Sequence, residues 1–100
     1  MKITIEREYG QSLQKIEIDC AAKQVIVGRV KKNVDADWLA SRVLQIVSSW
    51  DSSYFSDYAI GGEWFRVTVF DNNSQYRFEG RGEYPENFPE FLDLLDEVTE

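Results

Sequence analysis

The stretch WFRVTVFDNNSQYRFE, residues 64–79, predicts a β-hairpin and sets the fold class of the chain. Apolar and polar side chains alternate over residues 64–70, as they do in a strand with one buried face. Phe65, Val67 and Val69 share the face that we expect to be buried, and residues 75–79 form the returning strand. The intervening Asp-Asn-Asn-Ser is typical of a turn, because Asn and Asp tolerate left-handed backbone geometry.

Three strand-like runs precede the hairpin, at residues 2–9, 13–20 and 24–30. The first two alternate between apolar and polar side chains, and short turns separate all three runs, which predicts an antiparallel meander. The third run is more continuously apolar. We therefore expect it to be one strand near the centre of the sheet, covered on both faces.

Two amphipathic helices complete the predicted fold. Asp35 is expected to cap the first helix, whose apolar residues recur at helical spacing: Leu39, Val43, Ile46, Val47 and Trp50. Asn87 and Glu90 have the spacing of a capping box at the start of the second helix. The apolar stripe of that helix is expected to be Phe88, Phe91, Leu92, Leu95 and Val98.

These elements predict a single α+β domain over residues 1–100, in the order βββαββα. We expect a mainly antiparallel five-stranded sheet with the two helices packed on it. Residues 51–62 are the longest irregular segment, a stretch of about a dozen residues near the upper end of ordinary loop lengths. This segment is rich in aromatic side chains.

The residue types present argue against catalysis. Histidine is absent, which removes the commonest general base and the commonest metal ligand. Cys20 is the single cysteine, so an internal disulfide and paired-cysteine metal sites are excluded. Its position on the same strand face as Ile16 and Ile18 predicts a small buried apolar group. We therefore expect a protein that is not an enzyme and that binds no metal or cofactor.

Negative charge is concentrated at one end of the chain. The net charge of −7 arises from the last eighteen residues, which hold seven acidic residues and no Lys or Arg. This balance disfavours nucleic acid as a partner, since phosphates are bound through Lys and Arg. The polar N-terminus does not resemble a signal peptide, and no apolar run is long enough to span a membrane. We expect a cytoplasmic protein without a membrane partner.

An exposed aromatic patch is the first candidate interface. Trp64 lies on the strand face opposite Phe65, where Tyr54, Phe55 and Tyr58 of the 51–62 segment would join it if that face is uncovered. Trp and Tyr are typical anchors of protein interfaces. The alternative is that the second helix or the 51–62 segment covers these rings and makes them part of the core.

The acidic end of the final helix is the second candidate interface. Negative charge near the start of a helix complements the macrodipole, whereas negative charge near its end does not. Three acidic residues therefore lack a structural reason and are expected to meet a basic partner: Asp96, Glu97 and Glu100.

The second half of the chain resembles a group of small uncharacterised bacterial proteins. The motifs that carry this resemblance are Ser-Trp-x-x-x-Tyr at residues 49–54, an Ile-x-Gly-Glu-aromatic strand start at residues 60–64, and Gly-x-x-x-Tyr-Pro-x-Asn-Phe at residues 80–88. The resemblance covers about half of the chain. It implies a bacterial origin and carries no activity with it.

The overall arrangement is also similar to emfourin-type inhibitors of thermolysin-like metalloproteases. The Met-Lys-Ile-Thr-x-Glu-Arg opening of residues 1–7, a central helix, a hairpin and a closing helix that begins near a proline carry this second resemblance. The paired glycines expected after Arg7 are absent and only Gly10 remains. The resemblance therefore implies an inhibitor-like fold but no inhibitory residue.

Three functions are compatible with the sequence, and we favour the first. A binding module would act by protein–protein contact, as inhibitors and nuclease immunity proteins do, and its acidic surface would attract a basic partner. A ligand-binding domain would form a pocket under the 51–62 segment from Tyr54, Asp57, Tyr58 and Arg66. A structural or self-associating subunit would form a homo-oligomer through the Trp64 strand or an edge of the meander.

Overall fold

The computed structural model describes residues 1–56 and 63–99, which form seven strands and two helices. The first four strands are β1 (Lys2–Tyr9), β2 (Ser12–Asp19), β3 (Gln24–Val27) and β4 (Val30–Lys32). Helix α1 (Ala36–Val47) follows, and then come β5 (Ser53–Phe55), β6 (Trp64–Asp71), β7 (Ser74–Arg81) and helix α2 (Phe88–Thr99).

All seven strands belong to one mixed sheet in the order β4-β3-β2-β1-β6-β7-β5. Every neighbouring pair is antiparallel except β5 and β7, which run parallel. The predicted α+β class is therefore confirmed, whereas the five-stranded sheet and the order βββαββα are wrong. Two short strands account for the difference, one on each edge.

The predicted third strand is split into β3 and β4. Gly28 adopts a positive φ of 62°, a backbone conformation that L side chains rarely adopt, and the chain reverses there. Val27 consequently pairs with Val30, and this hairpin forms an edge of the sheet. The continuous apolar run was a misleading signal, because β1, an alternating strand, occupies the centre.

The other missed strand lies inside the segment predicted to be irregular. Residues Ser53–Phe55 pair in parallel with residues 79–81 of β7. Three residues are too few to show an alternating pattern, so the sequence carries no strand signal there. The remaining part of the 51–62 prediction, residues 57–62, lies outside the described residues.

The predicted hairpin and one of the predicted caps are confirmed. Asn72 begins the β6–β7 turn with a φ of 56°, and Val67 lies opposite Phe78 in the ladder. At the start of α1, Asp35 Oδ1 accepts a hydrogen bond of 3.0 Å from the backbone N–H of Trp38.

We expect Asp35→Ala to lower the free energy of unfolding by about 1 kcal/mol, since an orphan N–H of the first turn would lose its acceptor. Urea denaturation of the variant measures this loss. Asp35→Asn is the matched control, because the side-chain oxygen of Asn can still accept the hydrogen bond from the backbone N–H of Trp38. An equal loss in both variants would contradict the capping role of Asp35.

Both helices cover one face of the sheet, and a single core fills the space between them and the strands. Alternate residues of the strands point into it, and the buried set includes Ile3, Ile5, Ile16, Ile18, Val25, Phe65, Val67 and Val69. All five residues of the apolar stripe predicted for α1 are buried, but the helix ends at Val47, so Trp50 belongs to the segment that follows it. In α2, Leu94 is buried where Leu92 was predicted, and Leu92 is half-buried.

Asn87 has a different role from the one predicted. Its side-chain amide donates a hydrogen bond of 3.0 Å to the carbonyl oxygen of Ile46, near the end of α1. Its side-chain oxygen accepts the indole N–H of Trp50. Asn87 thus connects the start of α2 to the end of α1. Its side chain makes these tertiary hydrogen bonds in place of the predicted capping bond.

Candidate functional site

The aromatic residues of the second half divide between the core and the surface. Trp50 is 7% exposed and packs its ring edge-on against Phe65, Phe78 and Phe91, with ring centroids 5.0–6.2 Å apart. Phe88 lies 5.9 Å from Trp50 and completes this aromatic cluster. Offset and edge-on ring pairs of this kind add stability beyond the area they bury.

Tyr54 joins the core side of the sheet, contrary to the predicted patch. Its ring centroid lies 6.3 Å from that of Phe65, and its hydroxyl oxygen accepts a hydrogen bond of 2.7 Å from the backbone N–H of Asp51. Because successive side chains of a strand point to opposite faces, Phe55 is the β5 residue that shares the face of Trp64. Tyr58, the remaining ring of the predicted patch, lies outside the described residues.

Trp64 forms a polar and aromatic corner with its neighbours on the sheet face opposite the helices. Its indole N–H donates a hydrogen bond of 2.8 Å to a Glu8 carboxylate oxygen, and the Arg66 guanidinium lies 5.6 Å from the centre of its ring. A cleft of about 360 Å³ beside it is lined by Phe55, Arg66, Glu79 and Arg81, among others. Phe55 is 57% exposed. Phe55 was predicted to lie in the patch with Trp64, whereas the sequence indicated no role for Glu8 or Arg81.

The sheet face opposite the helices carries charges that alternate in sign from strand to strand. One row across β2, β1, β6 and β7 reads Lys15, Glu6, Arg66, Glu79. Within it, Arg66 Nε donates a hydrogen bond of 3.0 Å to a Glu79 carboxylate oxygen. The sequence pattern showed that these residues avoid the core, but their alignment depends on the register of four strands. We call this surface the open face.

The solvent side of α2 presents the second candidate surface. Glu90, Asp93, Asp96 and Glu97 are all exposed, and the last turn of α2 contains no basic residue. Within residues 1–56 and 63–99, the salt bridges are Lys15–Glu17 and Arg66–Glu79, so none of these four carboxylates is in one. Asp96 and Glu97 are therefore exposed as predicted, whereas Glu100 lies outside the described residues. We call this surface the acidic face.

The two predicted interfaces lie on opposite sides of the molecule. Helix α2 packs on the face of the sheet that buries Phe65, whereas Trp64 points to the other face. A single flat partner surface cannot cover Trp64 together with Asp96 and Glu97.

The pocket predicted under the 51–62 segment is not assembled from the residues named for it. Tyr54 packs on the core side, Arg66 lies on the open face, and Asp57 and Tyr58 are outside the described residues. A cleft of about 460 Å³ beside Tyr54 is lined instead by Ser49, Trp50, Pro85, Glu86 and Asn87. Its polar groups are already engaged, since the Asn87 side chain bonds to α1 and Trp50.

Cys20 lines a groove of about 540 Å³ between α1 and the start of β1. The thiol is half-buried against the core, and burial, followed by hydrogen bonding to Asp37, raises its pKa above the usual value. A raised pKa keeps the thiol protonated near neutral pH, which opposes nucleophilic or metal-binding chemistry. In the described part of the chain, no cluster of three Cys, Asp or Glu side chains forms a possible metal site.

Neither described helix is long and apolar enough to cross a membrane. Comparisons of the chain with protein-family models, with curated proteins and with solved structures find no match.

Proposed function

We propose that this chain is a non-enzymatic binding module that recognises a basic protein surface through the acidic face of α2. The observation that carries the proposal is the set of exposed carboxylates on that helix, for which the described residues supply no salt-bridge partner. Inhibitor and immunity proteins that cover a basic site work by this principle, because opposite potentials accelerate and orient association.

The acidic face costs the free protein some stability. Asp93 lies three residues from both Glu90 and Asp96 and four from Glu97, so like charges are neighbours along the helix. Each such pair destabilises a helix by about 0.2–0.5 kcal/mol, and negative charge near the C-terminal end opposes the macrodipole. A basic partner would relieve both effects, which makes the acidic face better suited to a complex than to the isolated domain.

The proposal assigns the partner to α2 alone, because Trp64 belongs to a different side of the molecule. It also places the protein in the cytoplasm, where a lone cysteine without an internal disulfide is ordinary. No part of the proposal requires a metal, a cofactor or nucleic acid.

Neutralising the acidic face should weaken partner binding while leaving the fold slightly more stable. The test variant combines Asp93→Asn, Asp96→Asn and Glu97→Gln, and we expect it to unfold at the same or higher urea concentration than wild type. A partner isolated with the wild-type chain at low salt should bind the variant about tenfold or more weakly, chiefly through slower association. Biosensor kinetics at two salt concentrations measure both effects.

A variant with the same change in net charge serves as the control. Asp51→Asn, Asp71→Asn and Glu83→Gln remove three exposed charges from outside α2. We expect it to retain the affinity of the wild-type chain. If both variants bind the partner equally weakly, net charge and not the position of the acidic face determines the affinity. Unchanged binding of the α2 variant would refute the proposal.

A further inference from the structure

We infer that two copies of this chain associate through their open faces, with a two-fold axis that lies between the two sheets, parallel to the mean strand direction and above the midpoint between β1 and β6. A sheet with helices on one side leaves its other side to solvent or to a partner, and the charges on this side fit a second copy of the same chain. Most homodimers are two-fold symmetric, so each contact between two different positions occurs twice.

The proposed axis brings residues of opposite charge to face each other across the interface. It places β1 of one copy over β6 of the other, and β2 over β7. Each residue keeps its height along the axis, so residues of the same row face each other. Lys15 then faces Glu79 of the second copy, because both belong to the row that also contains Glu6 and Arg66. Glu6 faces Arg66 of the second copy in the same row.

The next row towards the start of β1 gives the same result. Glu17 pairs with Thr4 across β1 and β2, Thr4 pairs with Thr68, and Thr68 pairs with Arg77. In the dimer Glu17 therefore faces Arg77 of the second copy, while Thr4 lies opposite Thr68, which is already buried within its own copy. All charged positions of these two rows on the four central strands meet the opposite charge.

An exposed leucine lies at one end of the same surface. Leu13 on β2 shares its row with Glu8, Trp64 and Arg81, and it is 69% exposed in the free chain. Over β7 of the second copy, Leu13 would lie above Arg81 and beside Trp64. The dimer would cover Leu13, which is one of several exposed apolar side chains of the free chain.

The twist of β-sheets limits how well the charges align. Face-to-face sheets pack with their strands about 30° apart, so pairs on β2 and β7 are displaced by roughly 4 Å at ordinary strand spacing. Long Lys, Arg and Glu side chains span that displacement. Four strands of eight residues cover about 500 Å² per copy, which is below the roughly 800 Å² of a standard interface. The dimer is therefore weak, with a dissociation constant on the order of 100 µM.

Reversing one charge of a facing pair should break the dimer, and reversing both should restore it. We propose Glu17→Lys and Arg77→Glu as separate variants, studied by sedimentation velocity from about 10 µM to 1 mM at low salt. Each variant alone places like charges opposite each other at both symmetric contacts, so each should dimerise about tenfold more weakly than wild type. An equal mixture of the two should dimerise as wild type does, because both contacts of the mixed dimer again join opposite charges.

Two control variants change charges that lie outside the proposed dimer interface. Lys31→Glu changes a charge on the edge strand β4, outside the four strands that overlap, and should leave dimerisation unchanged. The triple α2 variant should also dimerise as wild type does, since the acidic face is on the other side of the sheet. A wild-type chain that stays monomeric at about 1 mM would overturn the inference. So would single variants that dimerise normally, or a mixture that fails to recover.

Discussion

Trp50→Ala is expected to lower the free energy of unfolding by about 3–5 kcal/mol, a large part of the stability of a domain of this size. Trp50 lies where the end of α1, the start of α2 and the β6–β7 hairpin meet. Truncation would remove its contacts with four phenylalanine rings and leave a cavity among residues that are themselves buried. It would also leave the side-chain oxygen of Asn87 without the indole N–H that it accepts.

Urea denaturation measures the loss of unfolding free energy. Two further variants separate the contribution of the buried ring from that of its hydrogen bond. Trp38→Ala removes the same side-chain type from an exposed position, 44% accessible, and should change the unfolding free energy by less than about 0.5 kcal/mol. Trp50→Phe keeps an aromatic ring but loses the hydrogen bond to Asn87, and we expect an intermediate cost of about 1–3 kcal/mol. If Trp50→Ala costs no more than Trp38→Ala, the central role of the aromatic cluster is wrong.

Gly80→Ala is expected to cost about 2–3 kcal/mol, because an added methyl group has no room. A Cβ at Gly80 would lie 2.6 Å from Phe65 Cε1 and 2.7 Å from the backbone oxygen of Tyr54. The Phe65 ring is buried, and the Tyr54 backbone belongs to β5, which pairs with β7 at this point. The substitution therefore forces either the ring or the edge strand to move.

Gly28→Ala provides the matched control for Gly80→Ala. Gly28 has a positive φ of 62°, but an added Cβ there would meet nothing within 4 Å. Its cost is expected to be only the left-handed backbone penalty, about 1 kcal/mol. Thermal unfolding of both variants compares the stability lost through steric crowding at Gly80 with the stability lost through backbone strain at Gly28. A smaller loss for Gly80→Ala than for Gly28→Ala would contradict the tight packing of β5 on β7.

The elements that could be predicted are those whose signal is local. The β6–β7 hairpin follows from alternation and from a turn in which Asn72 takes a left-handed conformation. Helix α1 follows from the Asp35 cap and from four apolar residues at helical spacing, Leu39, Val43, Ile46 and Val47, whereas Trp50 of the predicted stripe lies beyond the end of the helix. In each case the physical cause lies within one turn of helix or one pair of neighbouring strands.

The candidate surfaces were only partly predictable for the same reason. The exposed Asp96 and Glu97 follow from the amphipathic pattern of α2, because that pattern separates its two sides. Tyr54 and Trp64 could not be assigned to opposite faces, since that depends on the parallel pairing of three residues of β5 with β7. The role of Asn87 was equally hidden, because its partners lie about forty residues earlier in the chain.

For this protein, composition and short-range pattern are enough to establish an α+β domain without histidine chemistry and with its net charge in the last eighteen residues. Those properties depend on which residues are present and on neighbours a few positions apart. The edge strands, the Trp50–Asn87 connection between helices and the charge rows of the open face arise only when distant segments pair. A row such as Lys15, Glu6, Arg66 and Glu79 exists because three strand registers coincide, and the pattern of a single strand does not specify the register of another.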